Sequence, residues 1–159
     1  MEQNETKSRT QENNKESEQK ENEDCTILPS DYPKYDYNYK VIIIGDSGVG
    51  KTCLTIRATT GEFEDKQPPT LGFDYYPFFM KYKEKVIKLE LWDTCGQEVY
   101  RSLIKSFFTN ASLAIIVYGV NDIKTFNSVE EWIMQCKKEC SPDIKFVLIA
   151  NKVDIDVDE

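Results

Sequence analysis

The 159-residue chain contains no histidine at all, and no apolar run long enough to cross a bilayer. A membrane-spanning helix takes about 20 predominantly apolar residues, so that class is excluded. Bases are scarce relative to acids: 20 Lys and Arg stand against 28 Asp and Glu, for a net charge of −8. With no basic stripe anywhere, an acidic balance excludes a nucleic-acid surface. The five cysteines (Cys25, Cys53, Cys95, Cys136, Cys140) are odd in number and lack framework spacing, which fits reduced thiols. Cys136 and Cys140 lie one helical turn apart, but without histidine or a second cysteine pair they argue poorly for zinc. The N-terminus is too polar for a signal peptide, which points to the cytosol.

What is present divides unevenly along the chain. The 40% hydrophobic and 12% aromatic content suits one globular domain, while the mean hydropathy of −0.55 points to a polar appendage. Residues 2–24 hold no apolar side chain and carry eight acids against four bases, half of the net charge. Such a stretch cannot bury enough surface to offset its ordering entropy, so residues 1–36 are expected to be a disordered acidic tail and linker. Pro29 to Tyr39 reads as the irregular end of that linker.

Val41 to Ile44 is a continuous β-branched run, the pattern of a strand buried on both faces. A Gly-rich turn and a helix, Lys51 to Thr60, follow it. Glu62 to Thr70 contains Pro68 and Pro69 and reads as a loop. Phe73 to Tyr82 and Val86 to Trp92 are strand-like, and the three residues between them allow only an antiparallel hairpin. Gln97 to Phe108 has helical spacing, and Leu113 to Tyr118 is a further buried strand. Phe126, Val129, Trp132, Ile133, Cys136 and Cys140 form one helical stripe, ended by Ser141 and Pro142. Phe146 to Ala150 is the last strand. The alternation predicts an α/β fold with a mostly parallel sheet and one antiparallel edge strand.

Three motifs sit at the ends of these strands. Gly45-Asp46-Ser47-Gly48-Val49-Gly50-Lys51-Thr52 matches the phosphate-binding loop G-x-x-x-x-G-K-[ST] and lies between a buried strand and a helix. Its glycines let successive N–H groups converge on phosphate oxygens at the positive end of the helix. Lys51 adds a point charge, and the Thr52 hydroxyl suits Mg²⁺, which takes hard oxygen ligands. Asn151-Lys152-x-Asp154 follows the last strand, at the carboxyl edge where such sheets bind ligands. A carboxylate at Asp154 accepts from the ring N–H and exocyclic amine of guanine, donors that adenine lacks at those positions. Trp92-Asp93-Thr94-Cys95-Gly96-Gln97-Glu98 also leaves a strand. There Asp93 is placed to hold Mg²⁺, Gly96 to offer a backbone N–H to a γ-phosphate, and Gln97 to orient the attacking water.

In this order and placement the three motifs resemble the Ras-like small GTPases, with wording nearest the Rab family, from about Tyr37 to the end of the chain. The resemblance implies a P-loop NTPase fold over residues 37–159 and GTP and GDP bound with Mg²⁺. Nucleotide contacts then fall to Asp46, Ser47, Gly48, Val49, Gly50, Lys51, Thr52, Cys53, Phe63, Thr70, Gly96, Asn151, Lys152 and Asp154. Thr52, Thr70 and Asp93 would serve the metal, and Gln97 catalysis. Thr70 matches the threonine that senses the γ-phosphate, and Phe63 the aromatic against the guanine edge. Switch I spans roughly residues 62–75 and switch II roughly 93–107. Tyr75, Trp92 and Phe107 match the aromatic triad offered to effectors, with GAP and exchange-factor proteins using the same switches.

Departures accompany the likeness. Cys95 stands where most members carry Ala, Pro68-Pro69 precedes Thr70, Phe107-Phe108-Thr109-Asn110 replaces Tyr-Tyr-Arg-Gly, and Tyr118-Gly119-Val120 replaces aromatic-Asp-hydrophobic. The family continues beyond Asn-Lys-x-Asp with a further strand, a last helix and prenylated cysteines. Ending at Glu159, the sequence encodes no lipid anchor and reads as a domain lacking that strand and helix, either a fragment or a truncated paralogue. The function expected is a GTP-hydrolysing switch in vesicle traffic, cytoplasmic and peripheral on endomembranes where a lipidated C-terminus is present. The rival is a GTPase-like interaction module without stable nucleotide binding.

Overall fold

The computed structural model describes residues 25–63, 67–96 and 108–155. Among the described residues six strands form one sheet: β1 (Cys25–Leu28), β2 (Tyr37–Ile44), β3 (Phe73–Tyr82), β4 (Lys85–Thr94), β5 (Leu113–Gly119) and β6 (Lys145–Asn151). Among the described residues the helices are α1 (Lys51–Thr60), α2 (Ile123–Asn127) and α3 (Val129–Glu139). The strand order is β1-β3-β4-β2-β5-β6. β4, β2, β5 and β6 are mutually parallel, and β3 runs antiparallel to β4 through a tight turn at Lys83 and Glu84. The α/β architecture with a mostly parallel sheet is therefore as the periodicity implied.

Alternation along β2 explains why the sheet is covered on both faces. Ile42 and Ile44 point one way and join Ala114, Ile116, Phe108, Trp132, Cys136 and Ile144 in a buried cluster beneath α3. Val41 and Ile43 point the other way and pack with Val49, Leu91 and Val117, where Leu54 of α1 closes over them. A strand buried on both sides must be apolar at every position, which is what its four consecutive β-branched residues supply. The carboxyl ends of β2, β4 and β6 lie at the same edge, so the segments after Ile44, Thr94 and Asn151 are brought together there.

Three segments differ from the sequence reading. β1 falls inside the expected disordered linker, pairing antiparallel with the far end of β3 from Cys25↔Tyr82 to Leu28↔Phe79. β3 is consequently not the edge of the sheet. Four residues carry too little pattern to be read as a strand; the open backbone of β3 supplies the partner. Tyr32 and Tyr35 then pack on Phe79 with ring centroids 6.5 and 6.4 Å away. The Asp36 carboxylate accepts from the Val86 N–H at 2.8 Å and the Lys85 ammonium at 3.2 Å, tying this strap to the β3–β4 turn. Second, β2 begins at Tyr37, inside the expected irregular segment. Third, the single helical stripe is split. Asp122 caps α2 through the Lys124 N–H, and Ser128 separates α2 from α3. Phe126 is therefore outside the core, edge-on to Tyr118 at 5.1 Å. The tail 1–24 and the predicted helix from Gln97 lie outside the described residues, except for Phe108.

Candidate functional site

Residues 45–50 leave β2 and turn into α1 at Gly50, which has φ 93° and no side chain to cap the helix. The first turn of α1 carries no acidic residue, so its N–H groups face the loop without a competing carboxylate. Lys51 is only 5% exposed and its ammonium donates to the carbonyls of Gly45 at 2.9 Å and Asp46 at 2.8 Å. Burial pushes its pKa down, opposed chiefly by the nearby Asp93 carboxylate. The loop is thus wrapped around its own lysine, which holds a cation at the centre of the curl.

Two close approaches fix the loop against its neighbours. Asn151, at the end of β6, donates from Nδ2 to the Val49 carbonyl at 2.8 Å. A Cβ at Gly50 would fall on that same amide nitrogen. Gly96 lies against the loop so tightly that a Cβ there would be 2.5 Å from the Asp46 carbonyl carbon and the Ser47 nitrogen. Both positions therefore need glycine for space, Gly50 also for its positive φ.

Beside Lys51, three oxygen-bearing side chains from distant segments meet. Thr52 Oγ1 donates to Asp93 Oδ2 at 2.6 Å and lies 2.9 Å from Thr70 Oγ1. Asp93 is fully buried, and its other oxygen, Oδ1, has no hydrogen-bond partner among the described residues. Burial raises its pKa, against the bond from Thr52 and the charge of Lys51. A buried carboxylate oxygen left without a donor is costly, and two hydroxyls beside it complete a set of hard oxygen donors. The residues fit Mg²⁺.

Lys51, Thr52 and Thr70 open into a cleft of about 410 Å³. Its walls include Ser47, Gly48, Gly50, Lys51, Thr52 and Cys53 from the loop, Thr70 and Gly96, and Asn151, Lys152 and Asp154 beyond β6. Phe63, 63% exposed, stands at its rim. Asp154 is also exposed, and Lys152 takes φ 63°, turning the chain around the cleft. Asp46, Val49 and Asp93 are not on the wall, but Asp46 and Val49 carry the carbonyls that hold Lys51 and Asn151. Gln97 and Phe107 lie outside the described residues. Tyr75 and Trp92 meet on neighbouring strands, ring centroids 5.5 Å apart. Phe73 stacks on the same indole at 5.1 Å and Lys40 lies over it at 4.7 Å, two neighbours that motif reading did not single out. Gln67 and Ile155, outside the three motifs, also line the cleft; Ile155 directly follows Asp154, the available signal.

The Gly45–Thr52 loop, the hydroxyl–carboxylate cluster and the Asn151-Lys152-x-Asp154 segment thus meet at one edge of a mostly parallel α/β sheet, and the chain belongs to the Ras family, which it matches over residues 40–159. Within that family it is Rab-like. It is 39% identical over 123 residues to "GTP-binding protein YPTM2" of Zea mays, which covers 77% of this chain and 61% of the relative. Over the same span it is 37% identical to "Ras-related protein RABD2c" of Arabidopsis thaliana and to "Ras-related protein RIC1" of Oryza sativa subsp. japonica. The chain thus spans about three fifths of the length of these relatives. No helix among the described residues is long and apolar enough to cross a membrane.

Proposed function

We propose that this chain binds GTP and GDP with Mg²⁺ and hydrolyses GTP, acting as a Rab-type switch in intracellular vesicle traffic. The observation that carries the reading is the meeting of Thr52, Thr70 and Asp93 beside Lys51, where Lys51 and the two threonines line the cleft that also reaches Asp154. Each comes from a different segment, and the resemblance assigns each a duty at that point.

In this reading the loop N–H groups and Lys51 hold the phosphates. Thr52, Thr70 and Asp93 hold Mg²⁺, which when bound offsets the charge that builds on the phosphate oxygens. Asp154 pairs with the guanine edge, Asn151 and Lys152 shape that wall, and Phe63 covers the base. Gly96 gives its N–H to the γ-phosphate, and Gln97 orients the attacking water. The Thr52–Thr70 contact puts switch I beside the metal site; a bound γ-phosphate would hold the loop there, and its loss would release it. Tyr75, Trp92 and Phe107 form the surface that effectors read, and GAP and exchange-factor proteins act on the same switches. The chain is cytoplasmic, and peripheral on endomembranes where the full-length protein carries a lipidated C-terminus.

Titration of the purified chain with a fluorescent GDP analogue, with and without Mg²⁺, tests binding. Saturable binding that weakens without Mg²⁺ and is displaced by GTP rather than ATP is expected. No saturable signal overturns the proposal in favour of a non-catalytic interaction module. Phosphate release from GTP should fall in Gln97→Ala while binding persists; unchanged turnover removes the role given to Gln97.

A further inference from the structure

Trp132 is 1% exposed, in the first full turns of α3, with its ring in the cluster that holds Ile42, Ile44 and Phe108. Its indole N–H donates to Asp46 Oδ1 at 2.9 Å, across 86 residues of sequence. A buried indole N–H needs an acceptor, and here the phosphate loop itself provides it. An acid in a loop built to hold an anion is electrostatically adverse, so its presence calls for a compensating contact. Asp46 is also the residue whose carbonyl holds Lys51 and whose backbone, with that of Ser47, leaves no room for a Cβ at Gly96. One residue thereby joins the helix core, the central lysine and the start of switch II.

We infer that Trp132 is a positioning residue for the nucleotide site: its N–H pins the Asp46 carboxylate and so sets the path of residues 45–48. This rests on the proposed phosphate reading of the cleft. The ring supplies core volume, and the N–H supplies loop geometry; the two are separable. Trp132→Phe keeps most of the ring and deletes the donor. Asp46→Ala deletes the acceptor and leaves the core intact. Cys136→Ala, one turn further along α3 in the same cluster, removes core volume without touching the loop.

The measurement is the release rate of a fluorescent GDP analogue from the full chain with Mg²⁺, at a temperature where every variant is folded. Release should quicken about tenfold in Trp132→Phe, the scale of one hydrogen bond to a carboxylate, and once Asp46→Ala has removed the acceptor, adding Trp132→Phe should change release no further. Cys136→Ala should lower the melting temperature yet keep release within about twofold of wild type. Wild-type release in Trp132→Phe, or equal acceleration by Cys136→Ala, overturns the inference. Should the wild-type chain bind no nucleotide, the proposed function fails instead, and amide exchange in the nucleotide-free chain decides the inference. Exchange of the residue 46–50 amides that quickens about tenfold in Trp132→Phe, with β5 unchanged, sustains it on the same hydrogen-bond scale. Equal exchange overturns it.

Discussion

Replacing Gly50 with alanine strains the loop in two separable ways. Gly50 sits at φ 93°, and a side chain held at such an angle costs about 1–2 kcal/mol. Its new Cβ would also collide with the Asn151 amide nitrogen, displacing the side chain that donates to the Val49 carbonyl at 2.8 Å. Losing that bond costs about 1 kcal/mol. The sum, about 2–3 kcal/mol, weakens GDP affinity by roughly 30- to 150-fold at 1.4 kcal/mol per tenfold. Asn151→Ala alone loses only the hydrogen bond, about 1 kcal/mol. In the double variant the collision has no target, so its loss should equal that of Gly50→Ala alone. The two substitutions should therefore fall short of additivity by about 1 kcal/mol. Titration with a fluorescent GDP analogue measures each corner of the cycle, and denaturant melts confirm that each variant is folded. Fully additive losses, or a Gly50→Ala variant that binds within about twofold of wild type, would refute the reasoning.

Asp154→Asn should cut the preference for GTP over ATP by about 10- to 100-fold, because an amide cannot accept from both guanine donors; competition titration reads it. The Cys136 thiol is pushed from 9.0 up to about 12, chiefly by burial, so the unfolded chain ionises it first. Stability should fall as pH rises between 9.0 and about 12, and urea melts of Cys136→Ala should lack that part of the slope, about 1.4 kcal/mol per pH unit at most. Below that window Cys136 should resist thiol reagents, while the exposed Cys25 reacts at once. Asp36→Ala should speed amide exchange in β1 and at Val86 without altering nucleotide release; unchanged exchange would show that the carboxylate does not hold the strap.

The sequence by itself determined the strand–helix alternation and the three motifs, because both are local. Four β-branched residues in a row specify a doubly buried strand, and a phosphate loop needs only its own glycines, a lysine and the helix it opens. Each motif follows a strand of the parallel core, so the rule that ligands gather at carboxyl edges also placed them together. What lay beyond that reach depends on partners far away in the chain. Cys25–Leu28 is a strand only because β3 offers it an edge some 50 residues on. The helical stripe was legible, but its division into α2 and α3 at Ser128 was not, since apolar periodicity carries through a single turn residue. Trp132 reads in sequence as one more apolar position; only folding sets its N–H against Asp46. The same holds for Thr52, Thr70 and Asp93, whose residue types were legible but whose shared hydrogen bonds exist only when three segments meet. Backbone preference and burial pattern act within a few residues, whereas a polar side chain buried in a core finds its partner wherever the tertiary structure brings one.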